Sequence, residues 1–400
     1  MIKSEVLNSK FETNSKSNFL SWKCLNFSNF DLFRISIFRF RIFKCMSGFQ
    51  FVRGYKKLVK AILPLADILL IPIVYLAAVL LKIIRRVGVS RVPSCKRALM
   101  YAGVFPIRNH YYEPLFDSRL LRRPLNQIRE LSGIDWNIEE QLNLLKSFCF
   151  TKELEHLSEK KTDEMNFYMD NRMFGSGDAE YLYNLIRLKK PARIFEIGSG
   201  NSTLMAIKAI KKNREEIPSY NCSHLCIEPY EMPWLEKTGV TVIRQRVEEM
   251  NKSVFSELKK DDILFIDSSH IIRPQGDVLF EYLELIPSLE AGVIVHIHDI
   301  FSPRDYLKQW LIDKVYLWNE QYLLEAFLTC NKEWKIIGSL NYLYLNYYQH
   351  LKAACPFLNK DRDPASFYIQ KCETPDNETV IWSNEKIARK RKFNSFNSLS

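Results

Sequence analysis

The segment that most narrows what this chain can fold into is Phe195–Ser202, which reads Phe-Glu-Ile-Gly-Ser-Gly-Asn-Ser. It joins a short apolar run, 192–197, to Leu204–Ile210, where apolar residues recur at helical spacing. This is a strand, a turn and a helix. Gly198 and Gly200 let the turn adopt backbone conformations closed to other residues and let a ligand approach the main chain. No third glycine follows where a dinucleotide fingerprint requires one, which disfavours an NAD-dependent oxidoreductase.

The same alternation continues downstream. Strands are expected at 224–228, 241–244, 262–267, 292–299, 334–337 and 366–370. Helices are expected at 181–187, 232–237, 251–260, 278–286, 306–328 and 343–354. Short apolar strands separated by helices imply an α/β fold with a mostly parallel sheet covered on both faces. Ligands of such sheets bind beyond the carboxyl ends of the strands.

Polar residues gather at those ends. Glu228 closes the second strand, 28 residues after Gly200, where a carboxylate can accept both hydroxyls of a ribose. Asp267, Ser268, Ser269 and His270 follow the fourth strand, and His298 and Asp299 end the fifth. Two carboxylates and two imidazoles at neighbouring strand ends suit Mg²⁺ or another divalent cation. His270 titrates in the range of a general base. The alternative is that His270 and His298 are held by hydrogen bonds as structural residues. His296 is expected on the other, buried strand face. Arg304 and Asp305 stand near the same rim, to clamp substrate or form a surface pair. Tyr306, Trp310, Tyr316, Trp318 and Tyr322 either line an acceptor cleft or pack.

On these residues the chain resembles the class I S-adenosylmethionine-dependent methyltransferases over roughly residues 165–372. The resemblance implies a Rossmann-like seven-stranded sheet. It implies cofactor binding by Glu196, Gly198, Ser199, Gly200, Asn201, Ser202, Glu228 and Asp267, with Phe174–Asp178 covering the cofactor. In pattern the chain is similar to metal-dependent sugar and macrolide O-methyltransferases. That implies catalytic roles for Asp267, Asp299 and His270 as base, and a metal on Asp267, His298 and Asp299. His298 stands where that family has an acid. The implied reaction is methyl transfer to a hydroxyl of a sugar, glycolipid or polysaccharide precursor, or related small molecule. The competing readings are a noncatalytic membrane-anchored scaffold and a methyltransferase of protein or nucleic acid. The Asn/Asp-Pro-Pro-Tyr type of motif that amino methylation of bases would require is absent.

The 400 residues carry a net charge of +11, unevenly spread. Residues 1–100 hold 18 basic and 4 acidic side chains, and the remainder 39 and 42. A nearly balanced catalytic part argues against a nucleic-acid partner. The basic portion contains one 20-residue apolar run, Ile62–Leu81, long enough to cross a bilayer. Asp67 lies within it, Pro64 and Pro72 are expected to break or kink it, and Lys and Arg flank both sides. The expected partner is an anionic membrane, with the catalytic domain in the cytoplasm. The run either spans the bilayer or lies in its surface; otherwise it covers the interface of a homo-oligomer. Nine irregularly spaced cysteines suit a reducing compartment. The expected organisation is a weakly ordered extension at 1–45, a membrane-associated helical segment at 46–97 and a helical connecting region at 98–165. The catalytic domain follows at 166–372, and a flexible tail at 373–400.

Overall fold

The structure is a computed structural model and describes residues 49–230 and 232–373, with side chains from Ile62 onward. The expectations for residues 1–45 and for the tail from 374 on fall outside the described residues. Contacts divide the chain between Pro106 and Ile107.

In the first unit, helix α1 (Phe49–Val87) runs 39 residues without interruption, through both Pro64 and Pro72. Of the expected break or kink, the break is corrected: neither proline interrupts the helix. Each removes one backbone donor, and the surrounding Leu, Ile, Val and Ala residues carry the helix past the gap. Its apolar part, Ile62–Val87, has 26 residues, about 39 Å of helix. None of that stretch is buried. Helix α2 (Pro93–Ala102) starts on a proline and ends at Gly103, which takes the left-handed conformation at φ 71°.

In the second unit, residues 107–165 contain less helix than the pattern suggested. Among them are α3 (Ile138–Ser147) and the single turn α4 (Thr151–Leu154). Asn137 precedes α3 in the left-handed conformation and makes no side-chain cap. Its amide instead donates to Glu140 and to the Ile336 carbonyl. Helix α5 (Asp178–Lys189) leads into β1 (Arg193–Ile197), and α6 (Asn201–Glu216) leads out of it. Then come β2 (Ser223–Ile227), β3 (Thr241–Ile243) and β4 (Ile263–Ile266). The helices expected between these strands shrink to short 3₁₀ segments at Leu235–Lys237 and Lys252–Glu257.

Helix α7 begins at Asp277–Phe280, widens into a π-turn at Glu281–Leu285 and closes at Ile286–Ser288, before β5 (Ile294–Ile297). The long helix expected at 306–328 is broken. A π-turn, Gln309–Asp313, and a non-helical stretch precede α8 (Glu320–Leu328). After β6 (Trp334–Ser339) come α9 (Leu340–Asn346), α10 (Tyr348–Ala354) and β7 (Phe367–Lys371).

The seven strands form one sheet in the order β3-β2-β1-β4-β5-β7-β6. The first five are mutually parallel, and β7 is antiparallel to both neighbours. Alternate residues feed two apolar layers, as the two-residue period of a strand requires. Ile194, Ile263, Phe265 and Ile294 pack into the layer that includes α5 and α6. Phe195, Leu264, Ile266 and Val295 pack into the opposite layer, with α7 and α8. Both faces are covered, so the strands read as continuous apolar runs. The strand order reverses between β1 and β4. This opens a crevice at their carboxyl ends, where Gly198 and Asp267 begin the next loops.

Candidate functional site

The crevice holds a cavity of 560 Å³. The turn after β1 supplies Gly198, Ser199, Gly200, Asn201 and Ser202, and β2 supplies Glu228. Asp267 and His270 enter from the β4 loop, His298 and Asp299 from the end of β5. Its volume lies within the range of small-molecule sites.

Gly198 sits at φ 77°, and a Cβ there would lie 2.0 Å from the Asp267 carbonyl oxygen. The β1 and β4 loops touch backbone to backbone, and the Asp267 N–H donates to the Ile197 carbonyl at 2.8 Å. Glu228 accepts from the Ser199 N–H at 3.3 Å and from the Tyr230 N–H at 3.0 Å, which fixes its carboxylate beside the glycine turn.

Glu196 is the expected cofactor residue that does not line the cavity. It is fully buried behind the turn and accepts from the Thr203 hydroxyl at 2.6 Å. It also takes the Ser202 hydroxyl at 3.3 Å and lies 2.7 Å from His224 Nε2. With Cys226 these side chains form a close His/Cys/Glu group. The Glu196 carboxylate is already occupied by three partners, so its work is to hold the turn against α6. At the far end, Arg246, Val247 and Glu248 line the cavity from the loop after β3. Sequence reading missed them because they lie in a polar stretch without a spacing signal.

The strand-end cluster is compact. His298 Nδ1 lies 3.6 Å from Asp267 and 3.5 Å from Asp299, while its Nε2 faces Asp178 at 3.8 Å. Neither His298 nitrogen has a hydrogen-bond partner among the described residues, although the ring is buried. His270 Nε2 lies 3.3 Å from Asp267 and 3.6 Å from Asp299. Burial pushes the Asp267 carboxyl up, but His298 and His270 outweigh this and hold it well below the usual carboxylate range. Asp299 is pushed up to about 6, first by burial, with Asp267 adding and His298 opposing. Burial works against the His298 imidazolium, yet Asp299 and Asp267 hold its pKa well above the ordinary value.

His270, at φ 59°, is clamped from behind by a residue that sequence reading missed. Glu320 Oε2 lies 2.7 Å from His270 Nδ1, and Glu320 Oε1 accepts from the Tyr282 hydroxyl at 3.0 Å. The His270 carbonyl in turn accepts from the Asn319 and Glu320 N–H groups at 3.0 and 3.2 Å. The Glu320 carboxylate therefore fixes the ring's orientation and points Nε2 at the two aspartates. Burial works against the imidazolium, yet Asp267 and Glu320 hold the His270 pKa well above its ordinary value. No motif announces Glu320, since 50 residues separate it from His270.

His296 is fully buried, as expected, and its Nε2 lies 2.8 Å from the Ser366 hydroxyl. The expectation of opposite faces is corrected. Residues two apart on a strand share a face, and the His296 and His298 rings lie 6.5 Å apart. Of the aromatic set, Trp318 reaches the cavity and lies 4.3 Å from the His270 ring. Trp310, Tyr316 and Tyr306 pack around Trp318. Tyr111 and Tyr112 are exposed and stack with His110 rather than lining the cavity.

A family model described as a methyltransferase domain matches residues 195–300, the segment that carries the glycine turn and both strand-end aspartates. An uncharacterised protein of Archaeoglobus fulgidus is 30% identical over 173 residues, covering 40% of this chain and 76% of that protein. Among solved structures, an O-methyltransferase from Bacillus cereus in complex with S-adenosylhomocysteine aligns with 58% of this chain and 91% of its own, at 11% identity and a TM-score of 0.30. A TDP-rhamnose 3′-O-methyltransferase of calicheamicin biosynthesis covers 60% and 99%, at 13% identity and a TM-score of 0.31.

The α/β core is that of a class I methyltransferase domain. The chain belongs to the same family as the archaeal protein; it carries a methyltransferase domain and is an S-adenosylmethionine-dependent methyltransferase.

Proposed function

We propose that the enzyme transfers the methyl group to a hydroxyl oxygen of a sugar, a glycolipid or polysaccharide precursor, or a related small molecule at a membrane surface. The observation that carries this reading is His270. Its Nδ1 is committed to Glu320, and its Nε2 faces the cavity beside Asp267 and Asp299. Held in one orientation, this imidazole is suited to take a proton from a hydroxyl at the mouth of the cofactor cavity once it is neutral, which requires the charge of Asp267 and Asp299 to be offset, as by a bound cation. The cofactor's sulfonium is the leaving group, so the protein supplies orientation and deprotonation.

In this reading Gly198, Ser199, Gly200, Asn201, Ser202 and Glu228 hold the cofactor, with Glu196 supporting the turn from behind. The segment 166–372 is the catalytic domain, 98–165 the connecting region and 46–97 the membrane-associated part. The exposed apolar helix Ile62–Val87 supports the membrane assignment; the catalytic domain is proposed to lie in the cytoplasm. A homo-oligomer remains part of the proposal only through that same exposed helix.

Asp267, His298 and Asp299 would hold a divalent cation. Their ligand atoms converge, and the orphaned His298 Nδ1 lies between the two carboxylates. Such an ion supplies orientation of vicinal hydroxyls and lowers the pKa of one. Protons compete with it for His298 Nδ1.

The test uses the full chain in uncharged detergent with methyl-labelled S-adenosylmethionine and membrane lipid and glycan extracts. The expected product is an alkali-stable methyl ether, and His270→Ala abolishes it. Label on protein or nucleic acid, or undiminished turnover in His270→Ala, sinks the reading. Mn²⁺ titration followed by calorimetry tests the cation. Binding that survives Asp267→Asn/Asp299→Asn removes it from the proposal.

A further inference from the structure

A second cavity, of 660 Å³, opens between residues 118–126 and the segment that follows β5, 304–312. It shares no lining residue with the cofactor cavity. Its two carboxylates are already committed. Asp363 accepts from Arg304 at 2.8 Å, while Asp305 lies 3.3 Å from Arg129 and accepts from the Tyr322 hydroxyl at 3.2 Å. Arg122, Arg123 and Lys308 also line the cavity, are exposed, and have no acidic partner among the described residues. The lining therefore carries four cations against two carboxylates, a net of +2, around the Ser118 hydroxyl and the Asn126 amide.

Cations gathered without counter-charges raise the local concentration of anions. Guanidinium forks match phosphate oxygens in pairs. Leu121, Leu125, Leu307 and Ile312 give the same cavity apolar walls. That combination suits an anionic group attached to a carbon skeleton better than a bare ion.

The wall between the two cavities is thin. Tyr306 lines the second cavity and packs on Trp318 at 6.0 Å. Trp318 lines the first and lies 4.3 Å from the His270 ring. Tyr306 and Trp318 thus connect the two linings through a chain of ring contacts that ends at His270.

We propose that this second cavity is a subsite for a phosphate group on the methyl acceptor, which reaches from Arg122, Arg123 and Lys308 past Trp318 to His270. The proposal rests on the hydroxyl-acceptor reading above and narrows it to phosphate-bearing acceptors. A soluble sugar phosphate and a membrane lipid phosphate present the same group. Leu120, just before the lining residue Leu121 in sequence, stands exposed.

The experiment is calorimetric titration of the full chain in uncharged detergent. One arm uses glucose 1-phosphate and the other dihexanoyl phosphatidic acid. At least one is expected to bind, with affinity falling as salt is raised. Arg122→Glu/Arg123→Glu/Lys308→Glu should weaken that binding about 10- to 100-fold, leaving S-adenosylhomocysteine affinity unchanged. The arm that binds identifies the source of the phosphate.

Binding by the triple variant at wild-type affinity overturns the proposal. So does absence of binding in both arms at millimolar ligand, or a parallel loss of S-adenosylhomocysteine affinity in the variant. If phosphate binding is intact but no hydroxyl is methylated, the acceptor reading fails and the subsite stands.

Discussion

Substituting each glycine of the β1 turn by alanine separates two roles that the sequence presents as equivalent. At Gly198 the added Cβ would lie 2.0 Å from the Asp267 carbonyl oxygen and 2.9 Å from its carbonyl carbon, both backbone atoms. The residue also holds φ 77°, so alanine pays a left-handed penalty of about 1–2 kcal/mol. Relieving the clash requires the β4 loop to move, against the 2.8 Å bond from the Asp267 N–H to Ile197. Overpacking of this kind costs about 1–3 kcal/mol, for a total of about 2–5 kcal/mol. Gly200 sits at φ 173°, extended backbone, and its Cβ would meet only Met232 Cε at 3.6 Å. Gly200→Ala should therefore cost under about 1 kcal/mol. Urea unfolding followed by tryptophan fluorescence checks both. Gly198→Ala should lower the midpoint with an unchanged slope and weaken S-adenosylhomocysteine binding, because Asp267 is displaced. Equal stability losses in the two variants, or a Gly198→Ala change within about 0.5 kcal/mol of wild type, would refute the close-approach argument.

Glu228→Ala removes a carboxylate at the cofactor cavity and should weaken S-adenosylhomocysteine binding about tenfold or more, read by calorimetry, with little change in unfolding. Glu320→Gln keeps the shape behind His270 but removes the charge that orients it. Turnover should fall by about 10- to 100-fold while cofactor affinity stays, and equal losses in both would assign Glu320 to the fold alone. Thiol labelling at pH 8 in the native state should mark the exposed Cys95, Cys149 and Cys330. Cys222, whose thiol burial pushes up to about 11, should react only on unfolding, since little thiolate forms at that pH. Rapid native labelling of Cys222 would show that the layer over β2 opens.

Much of this enzyme was legible before folding, because the relevant physics is local. Buried parallel strands must be continuous apolar runs, so Arg193–Ile197, Ile263–Ile266 and Ile294–Ile297 declared themselves. A turn that brings two backbones together at positive φ needs glycine, so Gly198 did too, whereas Gly200 looked equivalent in sequence and is not required by its conformation. Asp267, His270, His298 and Asp299 could be grouped because parallel neighbours place their carboxyl ends side by side. Helix lengths were less legible. Val315 takes a left-handed φ of 56°, and the chain leaves the helical path at 314–319 even though its composition permits helix. Prolines mislead in the other direction, since α1 continues through two of them. Tertiary structure alone decided which partners each polar group found. It turned Glu196 inward to Thr203 and His224, brought Glu320 to His270 across 50 residues, and left Arg122, Arg123 and Lys308 without a paired acid among the described residues. Those choices depend on which distant segments meet across a loop or a helix end. Periodicity records which face of an element is buried, and carries no record of what that face meets.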